Sequence, residues 1–167
     1  MQLRPELEPS SLSASLVERL TWLADHLDGE QNPAQIELWL TEFNVKADSN
    51  FRWEDFQEIY GYQNHDEWVK SALLRQRIAV VPDISHDELL EIVRRIQSNP
   101  GGEAETDFYL TMLEANVPYR GVSDLIFWPS VHFGDDDDSR ELTPEQIVDI
   151  ALNSEPPNSE PPQVIAL

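Results

Sequence analysis

Catalysis by a protein chain needs a nucleophile, an acid–base pair, a metal cage or a phosphate cradle, and each leaves a spacing in the sequence. The four histidines, His26, His65, His86 and His132, never recur at the i, i+4 interval that sets two imidazoles on one helix face. Each reads as a surface or half-buried side chain. There is no G-x-S-x-G, no P-loop and no G-x-G-x-x-G. Cysteine is absent, which excludes thiol catalysis, Cys-ligated zinc and disulfides. Asp135–Asp138 is a dense run of oxygen ligands. A calcium loop spaces its carboxylates and turns on a glycine. Four consecutive aspartates do neither, so the run reads as a solvated loop rather than a Ca²⁺ or Mg²⁺ site. Acid–base carboxylates cannot be singled out among 32 acids without a pocket. The reading is therefore of a non-enzyme without metal or cofactor.

Binding chemistry remains, and it concentrates in Ser123-Asp124-Leu125-Ile126-Phe127-Trp128-Pro129. Two large aromatics follow an acid and two aliphatics, after a glycine and before a proline. The run is too short for a normal helix and Pro129 reads as its stop, so one helical turn or a short strand both fit. Phe127 and Trp128 can plug a core. On a single helical turn, however, neighbouring side chains diverge, and Leu125 and Ile126 can face inward while an aromatic faces out. An aromatic anchor ringed by acids has the composition of a protein-binding hot spot.

The elements that must position this run are helical, because no segment shows strong period-2 alternation. The expected fold class is all-α. Residues 1–10 read as a loose lead-in. Leu12, Leu16, Leu20, Leu23 and Leu27 form a stripe, with Gly29 at its end. Asn32-Pro33 starts the next helix with a capping box closed by Gln35, and Ile36, Trp39, Leu40 and Phe43 form its apolar face. A short helix is expected near Trp53–Tyr60, ending at Gly61. Asn64 and Glu67 form another box, before Trp68, Ala72 and Leu73. Pro82 marks a boundary. Ser85 and Glu88 cap a helix carrying Leu89, Leu90, Val93 and Ile96. Glu103 to Asn116 forms the next, with Phe108, Met112 and Leu113 inward and acids in its first turn. Thr143-Pro144-Glu145-Gln146 caps the last, packed by Ile147, Ile150 and Ala151. The N-S-E-P-P repeat of residues 153–167 is expected to be disordered.

Charge narrows the partner. Eleven basic side chains face 32 acidic ones, for a formal net charge of −21, and no lysine follows Lys70. Such a chain is repelled by nucleic acid and by anionic membranes and attracted to a basic protein. No apolar stretch approaches membrane-spanning length and no signal peptide opens the sequence, so the expected location is the cytoplasm.

Ser123–Pro129 also resembles the S-D-L-I-Y-Y-P segment of the immunity proteins of E-type colicins and S-type pyocins, with aromatic-for-aromatic changes. The similarity runs in order through residues 84–152. Ile84-Ser85-His86-Asp87-Glu88-Leu89 resembles the start of that family's first helix, Glu103 to Glu114 its acidic second helix, and Gly134–Ser139 its acidic loop. Gln146-Ile147-Val148 resembles its last helix. The resemblance implies a four-helix bundle with a short third helix over residues 81–152, preceded by an N-terminal helical region, 1–80, that small members of the family lack. It implies binding and inhibition of the nuclease domain of a cognate bacteriocin or polymorphic toxin, usually an HNH-type DNase. The shared hot spot falls on Asp124, Phe127 and Trp128. The helix that tunes partner choice places Glu105, Thr106, Asp107, Leu110, Thr111 and Glu114. Two departures stand out: both tyrosines are replaced, leaving Trp128 one polar hydrogen and Phe127 none, and the family's His-Pro before this helix reads Tyr119-Arg120. Rival readings are an acidic nucleic-acid mimic, a helical adaptor binding a basic partner through residues 1–80, and a metal-dependent enzyme using Asp135–Asp138.

Overall fold

A computed structural model describes residues 2–153, apart from 10–11, 58, 60–63, 99–100, 135–136 and 138. Among the described residues there are eight α-helices and no strand. The chain is all-α, as its periodicity predicts. No helix among these residues is long and apolar enough to cross a membrane. The expected disordered tail lies outside the described residues from 154 onward, and so do Asp135, Asp136 and Asp138 of the acidic loop. The chain clusters into two compact units.

One unit comprises Glu8–Ile78 together with Gly101–Phe108. Its first helix, α1 (Ala14–Leu27), buries Leu20, Leu23, Ala24 and Leu27. Helix α2 (Pro33–Ala47) starts on Asn32, whose side chain accepts from the Ala34 amide at 3.1 Å, with Pro33 at the first helical position. The box expected with Gln35 is not closed, because the Asn32 amide donates instead to Glu30. Trp53–Phe56 forms one 3₁₀ turn within the segment expected to be helical; Tyr60 and Gly61 lie outside the described residues. Helix α3 (His65–Arg75) supplies Val69 and Leu73. Phe43 packs edge-on against Phe56 at 4.9 Å, beside Phe51 and Trp68. Trp53 Nε1 and Gln57 Nε2 both donate to the Leu27 carbonyl, satisfying an acceptor that the end of α1 leaves open.

The Asn64–Glu67 box does not form. Asn64 makes no side-chain cap. Glu67 accepts instead from Lys70 at 2.7 Å and from the Ala104 amide at 3.3 Å. A carboxylate there meets the positive end of α5 (Glu103–Asn116) as well as a lysine, which offers more than a local cap. His65 also departs from expectation. It is buried and hydrogen-bonded to Asp25 rather than surface or half-buried.

The other unit takes in residues 1–7, 79–100 and 109 onward. Helix α4 (His86–Ser98) buries Leu89, Leu90, Ile92, Val93 and Ile96. Its box is complete: the Ser85 amide donates to Glu88 at 2.8 Å and the Glu88 amide to the Ser85 hydroxyl. The later turns of α5 contribute Tyr109, Met112 and Leu113. Helix α8 (Pro144–Asn153) contributes Ile147, Val148 and Ala151, and Thr143 and Gln146 close its box. Asn116 takes the Val81 amide and donates to the Ala79 carbonyl, fastening the segment that leads into α4.

The loose lead-in expected for residues 1–10 is corrected at its start. Leu3 and Leu7 are buried, and Pro5–Leu7 forms a 3₁₀ turn. Arg4 grips both oxygens of Glu88 at 2.7 and 2.8 Å and reaches Asp83 at 3.0 Å. Two leucines four residues apart and one guanidinium fork are enough to anchor so short a segment. The Arg4 guanidinium holds the Glu88 carboxyl down at about 2, helped by the Ser85 amide.

Candidate partner-binding surface

The aromatic run folds as helix α6 (Val122–Phe127). Gly121 opens it at φ +78°, in the left-handed region that a side chain disfavours. A Cβ added there would lie 3.4 Å from Asp124 Oδ2, so the carboxylate leans back over the glycine. Val122 and Leu125, three residues apart, have no exposed surface and anchor the helix to its unit. Phe127 and Trp128 are left 44% and 60% exposed, with ring centroids 5.7 Å apart. The expectation that an aromatic faces outward holds for both rings.

Pro129 does not end the helical segment. It stands at the first position of a further helix, α7 (Pro129–Phe133), where its missing N–H removes no bond. Trp128 is the hinge between the two, at φ −141° and ψ 63°, with its amide still donating to the Asp124 carbonyl. Pro129 and Ser130 turn inward, while Val131 and Phe133 are 64% and 45% exposed. Four large apolar side chains therefore share one short helical corner. Sequence reasoning missed Val131 and Phe133 because it read the proline as a stop. Restarting the helix at Pro129 would have placed Trp128 and Val131 one turn apart.

Polar groups fix this corner. Tyr119 hydrogen-bonds His132 Nδ1 at 2.8 Å through its hydroxyl, and its amide donates to Ala151 of α8 at 3.2 Å. Burial raises the Tyr119 phenol, and the Asp124 charge raises it further. His132 meets Phe133 edge-on, and the Arg140 guanidinium lies 4.3 Å from the Phe133 ring centre. Tyr119, in the pair that replaces the family's His-Pro, thus binds the histidine one helix further on.

The six positions expected on the second helix divide. Glu105, Thr106 and Asp107 cluster with the unit containing residues 8–78. Asp107 pairs with Arg75 at 3.1 Å, and the Thr106 hydroxyl donates to the Gly102 carbonyl. Leu110, Thr111 and Glu114 belong with α6, and all three retain exposed surface. Glu114 shares a hollow of about 500 Å³ with Tyr119, Arg120 and Gly121, which brings that end of α5 to the entrance of α6. Among the described residues no three His, Asp or Glu side chains converge as a metal site.

A short helix with inward aliphatics and outward aromatics, set among the three longer helices α4, α5 and α8, makes this unit a small helical bundle. Residues 81–154 match the family described as colicin immunity protein / pyocin immunity protein, and the chain belongs to that family. It is similar to the Bacillus subtilis (strain 168) protein named "Uncharacterized protein YezA", at 36% identity over 70 residues. That alignment covers 42% of this chain and 90% of the relative. No solved structure matches the chain.

Proposed function

We propose that the protein is an immunity protein that binds and inactivates the nuclease domain of a cognate bacteriocin or polymorphic toxin, an HNH-type DNase, without catalysis of its own. The observation that carries this reading is the exposed pair Phe127 and Trp128, extended by Val131 and Phe133, on a helical corner whose backbone is fixed from beneath. Large rings held rigidly at a surface bind with little loss of side-chain entropy. Asp124 on α6, with Thr111 and Glu114 on α5 of the same unit, adds polar choices that select one toxin over another. The net charge of −21 draws a basic nuclease in and turns its phosphodiester substrate away.

Co-purification with the nuclease toxin encoded beside it tests the assignment. A stable complex and loss of nuclease activity are expected; no complex overturns it. A purely charge-driven nucleic-acid mimic would bind several unrelated basic proteins and would be indifferent to Trp128→Ala.

A further inference from the structure

The unit built on residues 8–78 and 101–108 carries an open groove of about 730 Å³ between α1, α3 and the first turns of α5. Its floor is apolar, formed by Leu12, Val17, Leu74 and Ala104. At one side stands Trp22, 38% exposed. Trp22 is held in place by His26 stacked at 3.8 Å, by Trp39 edge-on at 5.6 Å and by the Arg19 guanidinium 4.5 Å from its ring centre. A ring so constrained is preorganised as an anchor.

The rim is acidic. Glu18, Asp25, Asp66 and Glu105 line it against one cation, Lys70. Lys70 is already engaged by Asp66 at 3.1 Å and by Glu67 at 2.7 Å, so it offers little to an incoming anion. Glu18 and Glu105 have no ion-pair partner among the described residues. An apolar floor beside the carboxylates of Glu18 and Glu105 fits a polypeptide that brings aliphatic or aromatic side chains flanked by Lys and Arg, and disfavours acidic or phosphorylated occupants.

We infer that this groove is a second docking site, which takes a basic, apolar-tipped segment of the same toxin outside the surface held by α6 and α7. The inference rests on the proposed immunity function. Continuity supports a shared partner, because Glu105 on the groove rim lies on the helix that also carries Leu110, Thr111 and Glu114. Two sites on one partner act as linked binding events and raise avidity without new contacts at either one.

The test uses the full chain and the purified, catalytically inactivated toxin encoded beside it. Glu18→Lys is compared with Glu37→Lys, which makes the same charge change on an exposed part of α2 away from the groove. Glu18→Lys should weaken the complex roughly tenfold at low salt, mainly through the association rate, and Glu37→Lys should do so far less. A photoreactive residue at the exposed position 14, on the groove lining, should cross-link to a basic toxin segment. Equal effects of the two charge reversals, or no toxin peptide captured from position 14, overturn the groove while leaving the immunity reading intact if Trp128→Ala still weakens binding. Absence of any complex with the wild-type chain overturns both. Should Glu18→Lys fail to fold, Glu18→Gln with the same cross-linking decides the question.

Discussion

Within α6, residues three positions apart do opposite work. Leu125 has no exposed surface, and Trp128 is 60% exposed. Leu125→Ala should therefore lower stability by about 2–5 kcal/mol, read by denaturant unfolding, because truncation leaves a cavity under the short helix. Trp128→Ala should leave the unfolding midpoint nearly unchanged and cost about 2 kcal/mol or more of toxin affinity, read by calorimetry. A Trp128→Ala variant that unfolds early but binds normally would make Trp128 a packing residue. Phe133→Ala is expected to cost less affinity than Trp128→Ala, because its ring is already occupied by Arg140 on one side and His132 at its edge. Phe127 and Trp128 lack the two phenolic hydroxyls of the tyrosines they replace. If they anchor the toxin as proposed, the groups they meet should be correspondingly less polar.

Among the elements, the entrance to α6 and the N-terminal hook are the most sensitive. Gly121→Ala puts a side chain at φ +78° and should destabilise the protein by about 1 kcal/mol, with a matching loss of toxin affinity as the helix start shifts. Thermal unfolding and titration of one preparation check both effects. The Arg4–Glu88 fork makes a pH prediction. Glu88 has a folded-state value of about 2 against an ordinary 4.5. The stability this contributes is fully present above the ordinary value and is lost as pH falls through 4.5 toward 2. Thermal midpoints should therefore drop across that window in the wild type. The drop should be shallower in Glu88→Gln and in Arg4→Met, and an unchanged slope would mean that the fork does not hold in solution.

For the whole molecule, the proposed function predicts that net charge governs encounter and the helical corner governs residence. Raising ionic strength should slow association with the toxin severalfold while barely changing dissociation, whereas Trp128→Ala should act mainly on dissociation. Stopped-flow mixing at two salt concentrations separates these effects. If both rates responded equally to salt, steering and anchoring would not be separable functions here. The additional helical unit bears on this behaviour too, since part of the second helix, Glu105–Asp107, clusters with it. Asp107 is already paired with Arg75 and so is less available to a partner than Leu110, Thr111 or Glu114.

Much of this was legible in the residues themselves. Leucine periodicity defines α1, the Ser85/Glu88 and Thr143/Gln146 pairs mark the starts of α4 and α8, and Glu103–Asn116 is a helix from end to end, because these signals are local and near-neighbour hydrogen bonds satisfy them. The outward aromatics of Ser123–Pro129 are legible for the same reason, since its aliphatic and aromatic positions separate within one turn. Tertiary structure alone decided what depended on distant partners. It put Glu67 on Ala104 instead of in a local box, Arg4 on Glu88, His65 beside Asp25 and Tyr119 beside His132. It also turned Pro129 from an apparent stop into the first residue of α7, exposing Val131 and Phe133 beside the aromatic pair. A side chain's nearest neighbours in sequence fix which helix it joins; only packing fixes which of several competing partners it satisfies and which ring is left facing solvent.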